Sequence, residues 1–139
     1  NSTLIFEIEI INIEPPGYKE ISPNDLLILN NEKILRLKKI KFIVIDIRTQ
    51  TEWKKKGLIK GSITITAFDN KGNLNKNFLK KYKSKIKIND HVVFVSKSGE
   101  ISAILANGFI ENLKMKNIYS LKGGMKRWLE EGYEVVSYL

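Results

Sequence analysis

The part of this sequence best suited to chemistry is a short polar loop between a hydrophobic strand and a helix. The run Val92–Val95 is typical of a buried strand, and the helical pattern of Ala103–Ala106 follows the loop. Because a strand that turns directly into a helix aims several backbone N–H groups at one point, the loop predicts a cradle for an anion. It consists of Ser96, Lys97, Ser98, Gly99, Glu100, Ile101 and Ser102.

Ser96 is a poor candidate for a catalytic serine because the sequence places no base beside it. The single histidine, His91, lies at the opposite end of the same strand, roughly 16 Å away at ~3.3 Å per residue. A general base must lie within hydrogen-bond reach of the proton that it removes, so a Ser–His mechanism is excluded. The neighbouring Lys97 lies on an exposed loop, where a lysine is protonated at neutral pH.

Three further sequence blocks, taken in order, are similar to those of the rhodanese (sulfurtransferase) family. Asp46–Trp53 has the form D-x-R-x-x-x-E-W, Gly57–Ile63 the form G-L-I-x-G-S-I, and Leu121–Trp128 the form L-x-G-G-M-x-x-W. The resemblance extends from about Tyr18 to Tyr133 and makes the polar loop the counterpart of the family's active loop. It implies one rhodanese-like α/β domain whose central parallel sheet of about five strands carries helices on both faces.

The loop departs from the family where the chemistry takes place. Rhodaneses carry sulfur as a persulfide on a cysteine within C-R-x-G-x-R, and here Ser96 occupies that position in a chain without cysteine. An oxygen atom cannot take part in thiol–disulfide exchange. Lys97 and Ile101 replace the two loop arginines, and Leu58 replaces the family's histidine. No catalytic residue is therefore expected in this loop.

Asp46, Arg48 and Glu52 belong to the first of the family-like blocks. In the family, an arginine–carboxylate pair at these positions helps to hold the loop beside the active cleft. An arginine side chain is well suited to pairing with a carboxylate through two parallel hydrogen bonds. The resemblance therefore implies that these residues support the loop, while an acid–base group is the less favoured interpretation.

Composition is that of a globular domain. The chain has 139 residues, of which 42% are hydrophobic, and no apolar run reaches the roughly 18 residues that cross a bilayer. With no cysteine and one histidine, a disulfide framework and the usual zinc sites are excluded, and no metal or cofactor is expected. The sequence leaves two cellular compartments as alternatives. One is the cytoplasm, and the other, if an N-terminal signal or anchor was removed, is the periplasm or another extracytoplasmic space.

The net charge of +9 does not by itself indicate a nucleic-acid partner. Of 24 basic residues only Arg36, Arg48 and Arg127 are arginine. The lysines are spread along the chain without interleaved aromatic residues, and their excess is typical of an AT-rich genome. A small anion at the loop is the favoured ligand, although Glu100 and the loss of an arginine at Ile101 weaken the site. An unidentified protein partner is the other candidate.

Strands and helices alternate along the chain, which predicts a parallel sheet covered on both faces. Ligands bind beyond the carboxyl ends of the strands in such sheets, where Arg48 and Ser96 follow their strands. The predicted strands are Tyr18–Ile21, Phe42–Ile47, Ile63–Thr66, Val92–Val95 and Ile118–Leu121. The predicted helices are Pro23–Arg36, Thr51–Lys56, Leu74–Ile86, Ser102–Leu113 and Gly124–Glu131.

Residues 1–17 precede the family-like region, which takes in 18–139. Apolar residues alternate from Leu4 to Ile10 until Pro15–Gly17 interrupts them, and this pattern predicts an extra edge strand. Tyr133–Tyr138 is its candidate partner. The competing interpretation is a tether to an upstream segment.

The leading hypothesis is a catalytically inactive rhodanese-homology domain that serves as a binding or regulatory module. The alternative is a thiosulfate-type sulfurtransferase whose active-site cysteine was engineered to Ser96. An engineered change would alter one position, whereas Leu58, Lys97 and Ile101 also depart from the family. A phosphatase-like activity also needs the missing thiolate. A polyanion binder would lose affinity steeply as salt rises.

Overall fold

A parallel sheet of five strands forms the centre of the computed structural model, which describes residues 19–31 and 42–138. The strand order is β1-β5-β4-β2-β3, and each neighbouring pair is parallel. This architecture confirms the α/β fold that the sequence predicts. The strands are β1 (Lys19–Ile21), β2 (Phe42–Asp46), β3 (Ile63–Thr64), β4 (His91–Val95) and β5 (Ile118–Leu121).

Helices cover both faces of this sheet because its central strands are apolar on both sides. Along β4, Val92 and Phe94 face one apolar cluster, whereas Val93 and Val95 face the other. The first cluster packs against α3 and α4, and the second against α1 and α5. The described helices are α1 (Pro23–Leu29), α2 (Gln50–Lys56), α3 (Phe78–Lys85), α4 (Glu100–Leu113) and α5 (Gly124–Glu130).

α1 ends, and α3 begins, away from the predicted positions. α1 begins as predicted, with Ser22 as its N-cap, but it ends at Leu29 rather than Arg36. The rest of that predicted helix falls partly outside the described residues. α3 begins at Phe78 rather than Leu74, because Leu74 pairs with Phe68 across a tight turn.

The helix after the polar loop also begins earlier than predicted, at Glu100 rather than Ser102. Gly99 precedes it with a φ of 94°, a left-handed conformation that glycine adopts at little cost. The chain therefore turns within one residue, and Glu100, Ile101 and Ser102 form the first turn of α4. β3 is shorter than predicted, ending at Thr64.

The chain termini contribute differently to the described structure. The edge strand predicted within residues 1–17 lies outside the described residues. The candidate partner Tyr133–Tyr138 runs past the end of α2, where Val136 and Leu58 exchange two backbone hydrogen bonds of 2.8 Å in an antiparallel bridge.

Among the described helices, none has the length and apolar character needed to cross a bilayer.

Parallel pairing of β2 with β4 brings the two candidate segments together. Asp46 is aligned with Val95, and the N–H of Ile47 donates to the carbonyl of Val95 at 2.9 Å. Arg48 and Ser96 therefore leave the same edge of the sheet from adjacent strands.

The aromatic contacts in the first apolar cluster provide a test of this core. Phe94 is fully buried and packs within 6.3 Å of the rings of Phe78, Tyr82 and Phe109. Phe94→Ala is expected to lower the free energy of unfolding by about 3–5 kcal/mol because it leaves a cavity. Ile104, which is 68% exposed, is the matched control, and Ile104→Ala should change stability by less than about 0.5 kcal/mol. Urea denaturation measures both, and similar losses for the two variants would contradict this packing.

Candidate functional site

A buried ion pair fixes the end of β2. The Nε of Arg48 donates to Oδ1 of Asp46 at 2.9 Å, and its Nη2 donates to Oδ2 at 2.7 Å. The same Nη2 also donates to the carbonyl of Gly57 at 2.7 Å. Both side chains are nearly inaccessible to solvent, so removing one partner would leave an uncompensated buried charge that costs about 3–5 kcal/mol. The pair joins the first family-like block to the second.

Glu52 makes its hydrogen bonds within the first turn of α2. Its Oε1 accepts from the N–H and the hydroxyl of Thr49, at 3.2 and 3.1 Å. The Thr49 hydroxyl accepts in return from the N–H of Glu52, completing a capping box. The carboxylate partner of Arg48 is therefore Asp46, and Glu52 stabilises the helix that runs beside it.

Ser96 occupies the centre of the polar loop with its own oxygen. The Oγ of Ser96 accepts from the backbone N–H groups of Gly99 and Ser102, at 3.1 and 3.2 Å. It also donates to the Oγ of Ser102 at 2.9 Å. Ser96 is only 4% exposed. Two of the N–H groups that a strand–loop–helix turn offers to an anion are thus bonded to a side chain of the protein itself.

A chain of buried hydroxyl groups continues from Ser96 into the sheet. The Oγ atoms of Ser102 and Ser120 lie 2.8 Å apart, and the Ser102 hydroxyl also donates to the carbonyl of Gly99 at 3.1 Å. Ser102 and Ser120 are fully buried. Sequence reasoning missed Ser120, although a serine within the apolar strand Ile118–Leu121 is a signal that a buried hydroxyl needs a partner.

The other loop side chains face outward. Lys97, Ser98, Glu100 and Ile101 are exposed, whereas Gly99 is buried. Ile101, which replaces an arginine of the family pattern, is 50% exposed at the first turn of α4. The loop therefore presents one lysine and one glutamate to solvent.

The turn between β5 and α5 packs against the loop and is hydrogen-bonded to its backbone. The N–H groups of Met125 and Lys126 donate to the carbonyls of Ser96 and Lys97, at 2.9 and 2.8 Å. This approach requires glycine at position 124, because an added Cβ would lie 2.5 Å from the carbonyl oxygen of Ser96. The L-x-G-G-M block thus supports the loop by backbone packing.

His91 lies at the amino end of β4, away from Ser96. Its Nδ1 is 3.3 Å from the hydroxyl of Tyr119, and its ring packs against Phe42. The length of β4 separates this histidine from the loop, so the structure contains no Ser–His pair within the described residues. His91 therefore cannot serve as the general base for Ser96.

A cleft of about 430 Å³ opens beside the loop, between α2 and α5. Arg48 and Lys97 both line it, so the structure brings the ion pair and the loop to one cavity. Met125 and Leu129 form the apolar part of the wall of this cleft. Its charged residues are four lysines (Lys55, Lys56, Lys97 and Lys126), two glutamates (Glu52 and Glu130) and the ion-paired Arg48.

The described residues provide no preformed metal centre. They contain no group of three or more histidine, cysteine, aspartate or glutamate side chains arranged to hold a metal ion.

Comparison with known proteins identifies the family. Residues 30–131 match the family model of the rhodanese-like domain, and the chain belongs to this family. It is 37% identical over 111 residues to an uncharacterized protein of Rickettsia prowazekii, covering 73% of this chain and 76% of that protein.

Solved structures show the same fold. A rhodanese-related protein from Thermoplasma volcanium superposes with a TM-score of 0.63 at 26% identity, covering 87% of this chain and all of that one. The rhodanese-like domain of an Anabaena protein has a TM-score of 0.63 at 14% identity, covering 90% and 81% of the two chains. Because the chain has no cysteine, it fits an inactive sulfurtransferase of this family.

The contact between Gly124 and the loop can be tested with a matched pair of glycines. Gly124 and Gly132 both have positive φ, but a Cβ at Gly132 would meet nothing within 4 Å. Gly132→Ala should therefore cost about 1–2 kcal/mol from backbone strain alone. Gly124→Ala should cost about 1–3 kcal/mol more, because the methyl group forces the loop aside.

Urea midpoints measure the two costs, and the amide resonances of Gly99 and Ser102 report the loop. We expect these resonances to move in Gly124→Ala and to stay unchanged in Gly132→Ala. Equal destabilisation with an unmoved loop would contradict the bracing role of Gly124.

Proposed function

We propose that this rhodanese-like domain is a binding module that accepts an anionic ligand with an apolar part in the cleft beside its loop, and that it does not transfer sulfur. The observation that carries this proposal is the position of the Ser96 Oγ. This oxygen accepts the N–H groups of Gly99 and Ser102, which would otherwise be available to an anion deep in the loop. A ligand must therefore bind farther out, in the cleft.

The charges of the cleft favour an anion. Lys97 and Lys126 are exposed, and each has its backbone fixed by the hydrogen bond that joins the loop to α5. Lys55 and Lys56 approach from the last turn of α2. The four lysines outnumber Glu52 and Glu130, and the charge of Arg48 is already balanced by Asp46. Attraction at such a rim depends on salt because exposed charges are screened.

The apolar wall favours a ligand that is more than a bare ion. Met125 is 1% exposed and Leu129 is half-buried, and both line the cleft. Because Met125 is already nearly inaccessible, the apolar surface that a ligand can remove from water is mainly that of Leu129, worth roughly 25 cal/mol per Å². A carboxylate with a short hydrocarbon tail, or an acidic segment with an apolar side chain, combines both interactions.

The absence of sulfur transfer is tested by a thiosulfate:cyanide assay. The natural chain and Ser96→Ala are both expected to give no turnover above a protein-free blank, because neither has a thiol to carry sulfur. Turnover by the natural chain above the blank would overturn the proposal.

A gain-of-function pair tests whether the loop has lost more than its thiol. Ser96→Cys should stay at least about tenfold below Ser96→Cys/Ile101→Arg, because the added guanidinium gives thiosulfate a charge-assisted hydrogen bond of about 1.5–3 kcal/mol. Equal activity of the two variants in the same assay would contradict the importance of position 101.

Binding in the cleft is tested with hexanoate as the probe and acetate as the control. The chain has two methionines, Met115 and Met125, of which only Met125 lines this cleft. Hexanoate should shift the Met125 methyl resonance and leave that of Met115 in place. Acetate should bind more weakly because it lacks the tail.

Charge variants complete this test. Lys97→Gln/Lys126→Gln should weaken hexanoate binding several-fold, whereas Lys87→Gln/Lys116→Gln, which lie at another cavity, should not. An unmoved Met125 methyl resonance, or equal weakening in both double variants, would exclude the cleft as the site.

A further inference from the structure

The end of the domain opposite the loop carries an apolar side chain that stands in solvent. Ile88 is 88% exposed, the highest value among the large apolar side chains that the structure describes. It lies between α3 and β4 at the amino end of the sheet, so the length of β4 separates it from the loop. We propose that this end of the domain docks on an anionic membrane, with Ile88 entering the bilayer interface and nearby lysines meeting the lipid headgroups.

A tight turn holds Ile88 in its exposed position. The N–H of Asp90 donates to the carbonyl of Lys87 at 3.0 Å, and Oδ2 of Asp90 accepts the N–H of Lys87 at 2.7 Å. Ile88 and Asn89 are the two central residues of this turn, where glycine, proline and small polar residues are ordinarily favoured. Because these two bonds fix the turn, its apolar tip loses little conformational freedom when it is inserted.

Isolated exposed apolar residues are common on protein surfaces, but Ile88 belongs to a mixed patch. Leu113, the last residue of α4, is 42% exposed and lines the same cavity of about 380 Å³ as Ile88. Four exposed lysines also line this cavity, and we call them the amino-end lysines: Lys83, Lys87, Lys114 and Lys116.

The patch stays positive after its negative groups are counted. Asp90 is the acidic residue among the described residues that line the cavity, and it offsets one lysine. α3 and α4 both end here, at Lys85 and Leu113, and the last turn of each helix carries about half a negative charge. A surplus of about two positive charges is therefore left to attract anionic headgroups within a Debye length of the surface.

The backbone of Lys114 is an independent observation. This residue follows α4 with a φ of 55°, in the left-handed region. Glycine is the usual residue at such a helix end, because a Cβ is strained in this conformation. Stability alone would favour glycine at position 114, so a role for the charged side chain at this surface accounts for the lysine.

A bilayer fits these features better than a protein surface does. The membrane interface places anionic headgroups directly above an apolar phase, which matches an apolar tip beside lysines. The described residues that line the cavity include no arginine, although arginine pairs most specifically with the carboxylates of a protein partner. Lysines are point charges on flexible stems, and they suit headgroup phosphates whose positions vary.

Sedimentation with lipid vesicles tests the proposal. Vesicles of phosphatidylglycerol and phosphatidylcholine in about equal parts should carry the chain into the pellet at low salt. Vesicles of phosphatidylcholine alone should leave it in solution, because they offer no net negative charge. Binding to the mixed vesicles should weaken as salt rises.

An isoleucine pair tests insertion of the apolar tip. Ile88→Ser should weaken binding to the mixed vesicles by about tenfold, because the tip no longer has apolar surface to remove from water. Ile104→Ser is the matched control, since Ile104 is also well exposed, at 68%, but does not line this cavity. Its binding should equal that of the natural chain.

A lysine pair tests the position of the charge. Lys87→Gln/Lys116→Gln should weaken vesicle binding by about twentyfold, at about fivefold for each lysine near the surface. Lys71→Gln/Lys76→Gln removes two exposed lysines between β3 and α3, at the other end of the sheet. This control should change binding by less than about twofold.

Lys114→Gly separates docking from stability. The variant should have a higher urea midpoint than the natural chain, because glycine relieves the backbone strain. It should also bind the mixed vesicles about fivefold more weakly. A purely structural role for Lys114 cannot move the two measurements in opposite senses, so a lowered urea midpoint would contradict this interpretation.

Three results would overturn the proposal. A chain that stays in solution with the mixed vesicles at low salt has another occupant for this patch, such as an acidic protein surface. Undiminished binding by Ile88→Ser would indicate attraction of charge alone, as to a nucleic acid. Equal weakening in both lysine double variants would indicate diffuse attraction to a chain of net charge +9.

Discussion

The hydrogen bonds of the Ser96 side chain determine the character of the loop. Its oxygen accepts from Gly99 and Ser102 and donates to the hydroxyl of Ser102, which in turn contacts Ser120. Buried polar groups are ordinarily hydrogen-bonded, and in this network the hydroxyl groups of Ser96, Ser102 and Ser120 find their partners within the protein. Two N–H groups of this strand–loop–helix turn are therefore bonded to a neutral hydroxyl of the protein itself.

The contacts that the family-like motifs make around the loop do not depend on a thiol at position 96. The β5–α5 turn packs backbone against backbone on the loop, which requires glycine at 124. Arg48 joins β2 to Gly57 and, through its carbonyl, to Thr66. These contacts use motif residues to satisfy buried groups and to fill space. They stabilise the fold whether or not sulfur is carried.

α2 divides the carboxyl edge of the sheet into two cavities of different chemistry. One has an apolar wall of Met125 and Leu129 beneath a rim of lysines, and the other is lined mainly by side chains with amide and hydroxyl groups. Both lie where parallel sheets ordinarily bind ligands. The domain therefore has two concave surfaces at the edge of the sheet where the loop lies.

The amino-acid sequence alone determined the sheet, the helices on both faces and the missing thiol, because apolar runs of strand length, alternating helices and ordered motifs are local features. Tertiary structure decided the rest. The direction of the Ser96 oxygen depends on Gly99 adopting a left-handed conformation, and the start of α3 depends on Leu74 pairing across a turn. The partner of Ser120 and both clefts arise only when distant segments meet, since no local pattern encodes which buried donor finds an acceptor.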